Sequence, residues 1–367
     1  MDISKLTDFV SPRFSRAILP WILKNPRYLK NAPLLIKAFW ECESTRKELL
    51  LKENLLVPPV VILSITNDCN LHCQGCFVEK LSGKQMTLSD WNNVINQAKD
   101  LGVFAFLIAG GEPFLLENPL DLTFSHKDRV FAIFSNGTQI NEERLKQLKS
   151  SSNTAVILSI EGDEELTDQR RGKGVHRRAM ETLKKLSDLG VMNGVSVTIT
   201  RDNYIYWMKD ENIDNLAEIG AKLCFFIEYI GAEEDGKTLS CEQRKSFREK
   251  ILQYKDTKPV FIIHSPGDEE PFGGCVSAGR GFIHINAFGD LTPCPVTTAS
   301  TNNLKSTTLK EGLKSNLFKE IRESKLLEDG DGPCSLISHK DELRQIVLRC
   351  LQTKTQIAET KDHAVTQ

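Results

Sequence analysis

No stretch of this chain reaches the roughly 18 uninterrupted apolar residues of a membrane-spanning helix, and its start, MDISKLTDFVSPRF, has no apolar core followed by a small-residue cleavage site. The expected location is cytoplasmic. A surplus of charge is also missing: 47 Lys and Arg stand against 49 Asp and Glu, a formal net charge of −2. Bulk electrostatics therefore gives no reason to bind nucleic acid, and any basic surface must be local. No internal repeat is found. The sequence does have 367 residues at 40% hydrophobic, enough for one large globular domain and a smaller appendage. It also has ten cysteines, at 42, 69, 73, 76, 224, 241, 275, 294, 334 and 350. In a reducing compartment the tight group at 69, 73 and 76 reads as a metal site rather than a disulfide framework.

Residues 1–57 form an N-terminal extension. From Pro12 to Trp40, Arg13, Arg16, Lys24, Arg27, Lys30 and Lys37 alternate with Ile, Leu, Trp and Phe. Pro20, Pro26 and Pro33 are expected to break the segment into short helices or turns. Such a basic, apolar segment can pack on the main domain with its lysines in solvent, or lie on an anionic membrane surface.

Over residues 58–264 short apolar runs alternate with amphipathic stretches. The runs are 60–65, 103–109, 130–135, 154–160, 194–200, 223–230 and 259–264. Alternating strand and helix means parallel strands joined by crossover helices, which suits an incomplete β/α barrel or an open α/β sheet. Residues 265–350 abandon the alternation: GFIHINAFGDLTPC reads as a β-hairpin and LKEGLKSNLFKEIRESKLL as helix, a small appended domain. Residues 351–367 are polar and read as a flexible tail.

Cys69, Cys73 and Cys76 follow the first strand, at the carboxyl end where β/α barrels build active sites. Three ligand sets compete for them. Closed structural zinc wants a fourth ligand, and His72 is awkwardly placed to share an ion with Cys73. A redox dithiol leaves Cys69 unexplained. A four-iron cluster on three thiolates leaves one iron open to a further ligand. The spacing alone leaves all three open.

Further motifs fall at the following strand ends: AGGEP (109–113), SNGT (135–138), and SIEG (159–162) with DQRRGKG (168–174). With the Cys-x3-Cys-x2-Cys triplet, these resemble the radical S-adenosylmethionine (SAM) superfamily, and in particular its SPASM and twitch branch with C-terminal auxiliary clusters. The resemblance implies a partial (β/α)6 barrel with a [4Fe-4S] cluster on Cys69, Cys73 and Cys76, whose open iron chelates SAM. It implies reductive cleavage of SAM to a 5′-deoxyadenosyl radical, with an electron donor such as ferredoxin or flavodoxin. SAM contacts carry over to Gly110, Gly111, Glu112 and Pro113, with Glu112 as acceptor for the SAM ammonium. They carry over also to Ser135, Asn136 and Gly137, to Ser159, and to Arg171 rather than Arg170 on the methionine carboxylate. Glu161 stands where aspartate is common and receives no role. Where many relatives carry an aromatic against adenine, this chain has Gly75, with Phe77 after the third cysteine.

Cys275, Cys294 and Cys334 resemble a shortened auxiliary domain holding at most one cluster, completed by Cys350, by His339 or by an open position. Cys42, Cys224 and Cys241 are expected in the core. His264, His284 and Lys80 receive no catalytic role. The expected function is hydrogen abstraction from an unidentified metabolite, lipid or peptide. Residues 1–55 do not read as a winged fold that captures leader peptides, which counts mildly against a peptide. The competing expectation is a non-catalytic iron-sulfur or zinc binding protein on an α/β scaffold; the intact GGEP, Ser159 and Arg171 features argue against it.

Overall fold

Val60–Thr66 (β1) shows how the sheet is built: Val61, Leu63 and Ile65 are fully buried toward the helices, while Ile62 on the other face is only half-buried. The same alternation recurs in β2 (Ala105–Gly110), β3 (Val130–Ser135), β6 (Leu223–Glu228) and β7 (Phe261–Ser265), while the central β4 (Thr154–Ile160) and β5 (Met192–Ile199) are buried along most of their length. One face packs under helices and the other lines a hollow, as a curved sheet requires. In the computed structural model, all seven strands pair in parallel with their sequence neighbours. The structure describes residues 12–78, 81–231, 235–328 and 334–365, with side chains described to residue 353. Lys80 and residues 1–11 lie outside the described residues.

The sheet has nine strands in the order β7-β6-β5-β4-β3-β2-β1-β8-β9. The GFIHINAFGDLTPC hairpin does form, as β8 (Phe282–Ile285) and β9 (Leu291–Thr292). Its position differs from the expectation of a separate appendage, because β8 pairs in parallel with β1 and extends the barrel sheet. The physical reason is the free edge of β1, whose backbone groups need partners. Beyond the hairpin, helices Leu309–Leu313 and Asn316–Glu323 bury Leu313, Leu317, Phe318 and Ile321. A last helix, Lys340–Val365, runs without interruption across position 351.

The N-terminal segment contains helices α1 (Leu19–Leu23) and α2 (Pro26–Glu53). Pro33 sits inside α2 and does not end it, contrary to the sequence expectation. A proline removes one helical hydrogen bond, and tertiary packing outweighs that loss here. Tyr28, Ala38, Cys42 and Glu43 are buried along one side of the helix. Arg27 donates to the Lys149 carbonyl at 2.7 Å, Arg46 to Gly102 at 2.6 Å, and Met192 N–H to the Tyr28 hydroxyl at 2.9 Å. Phe39 packs edge-on against Phe104 at 5.4 Å. These partners lie just before β2, β4 and β5, so α2 crosses the amino-terminal end of the barrel, opposite the cysteine loop.

Candidate functional site

Gly110 and Gly111 bring the end of β2 against the start of the cysteine loop. Gly111 N–H donates to the Thr66 carbonyl at 2.7 Å and Glu112 N–H to Asp68 at 2.8 Å. A Cβ on Gly110 would sit 2.3 Å from the Thr66 oxygen, and one on Gly111 2.0 Å from the Asp68 oxygen. No other residue permits that approach without moving backbone.

Glu112 is 1% exposed. Its Oε1 accepts from Phe114 N–H at 3.1 Å and from the Ser135 hydroxyl at 2.8 Å, and its Oε2 accepts from Asn136 N–H at 2.8 Å. Burial pushes its carboxyl above the usual carboxylate range, while the three donors and Arg171 pull the other way. Asn136 Nδ2 in turn donates to Asn70 Oδ1, and Asn70 Nδ2 to Thr138 Oγ1, both at 2.9 Å. Pro113 begins the short 3₁₀ turn that carries the chain away. One polar network thus joins the loops after β1, β2 and β3. In this arrangement the Glu112 carboxylate is directed to the SNG loop.

Gly137 has a φ of +76°, and its missing side chain lets the Ala179 backbone of the β4–β5 crossover helix come close. Ser159 lies one residue before the end of β4, half-buried on the concave face, and its hydroxyl has no hydrogen-bond partner among the described residues. Arg171 and Arg170 close helix Glu164–Arg171, and both reach Glu161. Glu161 Oε1 accepts from Arg170 Nη1 at 2.5 Å and from Arg171 Nε and Nη2, each at 2.7 Å. Its Oε2 accepts from Thr198 N–H at 3.1 Å. Glu161, given no role from sequence, is therefore the buried anchor of both arginines. Gln74 N–H donates to the Arg170 carbonyl at 2.9 Å, which ties this helix to the cysteine loop.

Cys69 and Cys76 are exposed and Cys73 is half-buried, all unpaired. Burial raises the Cys69 and Cys73 thiols, with Leu71 N–H opposing it at Cys69 and Arg171 and Arg170 opposing it at Cys73. Between Cys73 and Cys76, Gly75 has a φ of +63°, and a Cβ there would meet the Tyr229 ring at 2.7 Å. An aromatic ring from just after β6 thus fills the space beside Gly75, a placement no local motif reveals. Phe77 is 54% exposed.

Three unpaired thiols on one loop are donors of the kind that a four-iron cluster takes. Among the described residues no three His, Cys, Asp or Glu side chains are close enough to hold a single metal ion. Thiols around a four-iron cube each bind a different iron and stand farther apart than the ligands of one ion.

The chain's residues 63–219 match the Radical SAM superfamily. That stretch is a radical SAM domain. Its relatives include the antilisterial bacteriocin subtilosin biosynthesis protein AlbA of Bacillus subtilis, 27% identical over 253 residues. That match covers 65% of this chain and 55% of AlbA. A PqqA peptide cyclase of Bradyrhizobium diazoefficiens is 29% identical over 268 residues, covering 66% of this chain and 68% of the cyclase. The chain thus spans little more than half the length of AlbA. Among solved structures, Streptococcus suis SuiB bound to S-adenosylmethionine superposes with a TM-score of 0.65 at 20% identity, covering 78% of this chain and 74% of SuiB. That likeness shows the fold. Members of the radical SAM family use a [4Fe-4S] cluster and SAM, and SPASM-type relatives carry auxiliary clusters.

Of the C-terminal cysteines, Cys275, Cys294 and Cys334 are near neighbours. Burial pushes all three thiols up, Cys275 to about 11, and the charges of Cys334 and Glu269 add to the rise at Cys275 and Cys294. Glu269, unnoticed in the sequence, acts on all three. Cys350 instead donates to Glu320 at 3.3 Å, and His339 Nδ1 lies 2.9 Å from the Ser335 carbonyl. Cys42 and Cys224 are buried as expected, but Cys241 is exposed, because it opens helix Cys241–Thr257 on its solvent side. His264 is buried against Glu228 at 3.2 Å, and His284 lies between Ser64 at 2.8 Å and Thr292 at 2.7 Å. Both are held by structural partners.

Proposed function

We propose that this chain binds a [4Fe-4S] cluster through Cys69, Cys73 and Cys76, binds SAM along the ends of β1–β4, and uses the pair to modify a peptide. The observation that carries the reading is the single hydrogen-bonded network joining the loops after β1, β2 and β3, with Glu112 at its centre. Held by Cys69, Cys73 and Cys76, a reduced cluster with an open iron would supply the one-electron chemistry that cleaves SAM for hydrogen abstraction from substrate.

The chain's own residues position these groups. Gly110 and Gly111 let the loop after β2 close on the cysteine loop, which would set the methionine end of the site. Ser159 offers a hydroxyl without a partner among the described residues. Arg171 keeps Nη1 free while Glu161 fixes its other nitrogens, so a carboxylate can be received with little rearrangement. The concave face beyond, with Leu107, Phe134 and Phe225 half-buried, offers an apolar wall to the substrate. A peptide is favoured because a relative matched over two thirds of its length is a peptide cyclase. Cys275, Cys294 and Cys334 are proposed to hold one auxiliary cluster, and a ferredoxin or flavodoxin to supply the electron.

The test is 5′-deoxyadenosine formation from SAM by anaerobically reconstituted protein with dithionite, wild type against Cys76→Ala. Formation that disappears in the variant supports the proposal. No formation from wild type confirmed to carry a four-iron cluster would defeat it in favour of a binding protein. Replacing Cys275, Cys294 and Cys334 by Ala should lower bound iron from roughly eight to roughly four atoms per chain.

A further inference from the structure

Helix α2 has two apolar faces. One packs under the barrel. The other, Leu29, Pro33, Ile36 and Trp40, repeats at intervals of four, three and four residues, so it forms a line on the opposite, solvent side. Ile36 and Trp40 are 59% and 58% exposed, and Leu23 at the end of α1 is 60% exposed. Among the described residues the ring contact made by this row is Trp40 edge-on to Phe39 at 5.4 Å, which leaves a row of large exposed apolar side chains, whereas single, scattered ones would need no explanation.

The charge around this row is mostly positive, with one exposed acid, Glu41, beside Trp40. Residues 12–40 contain six Lys and Arg and no Asp or Glu, within a chain whose net charge is −2. The three arginines turn inward: Arg13 pairs with Asp256, Arg16 donates to the Asp256 carbonyl, and Arg27 donates to Lys149. The three lysines, Lys24, Lys30 and Lys37, are exposed beside the apolar row, and Lys37 pairs with Glu41 at 3.6 Å. Acidic residues begin at Glu41, where the row ends and the solvent side turns polar with Ser44 and Lys47.

We propose that this face of α1 and α2 docks on an anionic lipid bilayer, with Leu23, Leu29, Ile36 and Trp40 in the interface and Lys24, Lys30 and Lys37 at the headgroups. A Trp and aliphatic row flanked by lysines is the composition of an interfacial helix, and positive charge complements anionic lipid. A protein partner would have no need for lysines alone. No helix among the described residues is long and apolar enough to cross a membrane, so the contact is peripheral. Because α2 closes the amino-terminal end of the barrel, docking holds the cysteine loop and the SAM motifs on the far side from the bilayer. Membrane contact therefore places the enzyme at a surface and does not feed its site from the lipid.

The experiment is flotation of the full chain with vesicles of phosphatidylcholine alone and of phosphatidylcholine with about one third phosphatidylserine, at low and high salt. Wild type should float only with the anionic vesicles and be released by salt. Each exposed lysine without an acidic partner is worth about fivefold in partition, so K24A/K30A should bind on the order of twentyfold more weakly. The variant I36S/W40S should also lose binding, and since both side chains face solvent it should keep its melting temperature. Cys76→Ala should float like wild type, which separates this inference from the catalytic one. Absence of flotation with anionic vesicles at low salt, or flotation unaltered in both surface variants, overturns the proposal. So does light scattering that shows a dimer dispersed by I36S/W40S in a protein that binds no vesicle, for then the row is a contact between copies.

Discussion

Replacing Glu112 by Gln changes one oxygen to an amide nitrogen in a place where every neighbour is a donor. Phe114 N–H and the Ser135 hydroxyl point at Oε1, and Asn136 N–H points at Oε2. An amide nitrogen at the Oε1 position would face two donors, and Ser135 cannot turn freely because its oxygen already accepts from Gly137 N–H at 3.0 Å. The less costly choice puts nitrogen at Oε2 and leaves the buried Asn136 N–H unpaired. That loses a charge-assisted hydrogen bond and weakens two others, for a total of about 3 kcal/mol. At about 2 °C per kcal/mol for a large domain, the melting temperature should fall by about 6 °C. The assay is calorimetric or fluorescence melting of wild type, Glu112→Gln and Ser135→Ala. Glu112→Gln should be the worse, because Ser135→Ala leaves the carboxylate two donors. A Glu112→Gln protein that melts within about 1 °C of wild type would refute the view that this carboxylate binds the three loops together.

Glu161→Gln should cost about 3 kcal/mol, since it leaves two largely buried guanidiniums without their counter-charge; denaturant unfolding checks it, and Arg171→Lys, which keeps a charge but not the fork, should weaken SAM binding measured by calorimetry. Gly75→Ala should destabilise the cysteine loop by combining a positive φ with contact on the Tyr229 ring. Adding Tyr229→Ala should recover the contact part but not the backbone part, which is about 1 kcal/mol; simple additivity of the two variants in melting experiments would contradict the geometry. His284 is buried, and desolvation lowers its pKa from the ordinary 6.5 to about 3. The unfolded chain then binds the extra proton first, so His284 leaves stability intact above pH 6.5 and removes it progressively as pH falls toward 3. Between pH 7 and pH 5 this group alone should cost about 2 kcal/mol, and urea midpoints of His284→Gln should show a correspondingly flatter pH dependence.

The strands and their order of chemistry were legible because both are local. An apolar run between turn residues marks a strand, and a motif directly after it must sit at that strand's carboxyl end; Cys69, Gly110, Ser135 and Ser159 were placed this way. The parallel pairing followed from alternation with helices. Other features depended on residues distant in sequence that meet only when the chain folds. Pro33 reads as a break, yet burial of Ala38 and Cys42 under the barrel sustains the helix through it. The hairpin at 282–292 reads as an appendage, yet the unpaired edge of β1 takes it into the main sheet. Glu161 has no local signal for holding Arg170 and Arg171, Tyr229 none for lying on Gly75, and Glu269 none for standing beside three cysteines. Local periodicity determined the elements, and spacing marked the cysteine triplet without choosing what it holds. Which side chains share a buried charge, which edge needs a partner, and which apolar row of α2 is left in solvent were decided by tertiary packing, because those free energies exist only between surfaces that folding brings together.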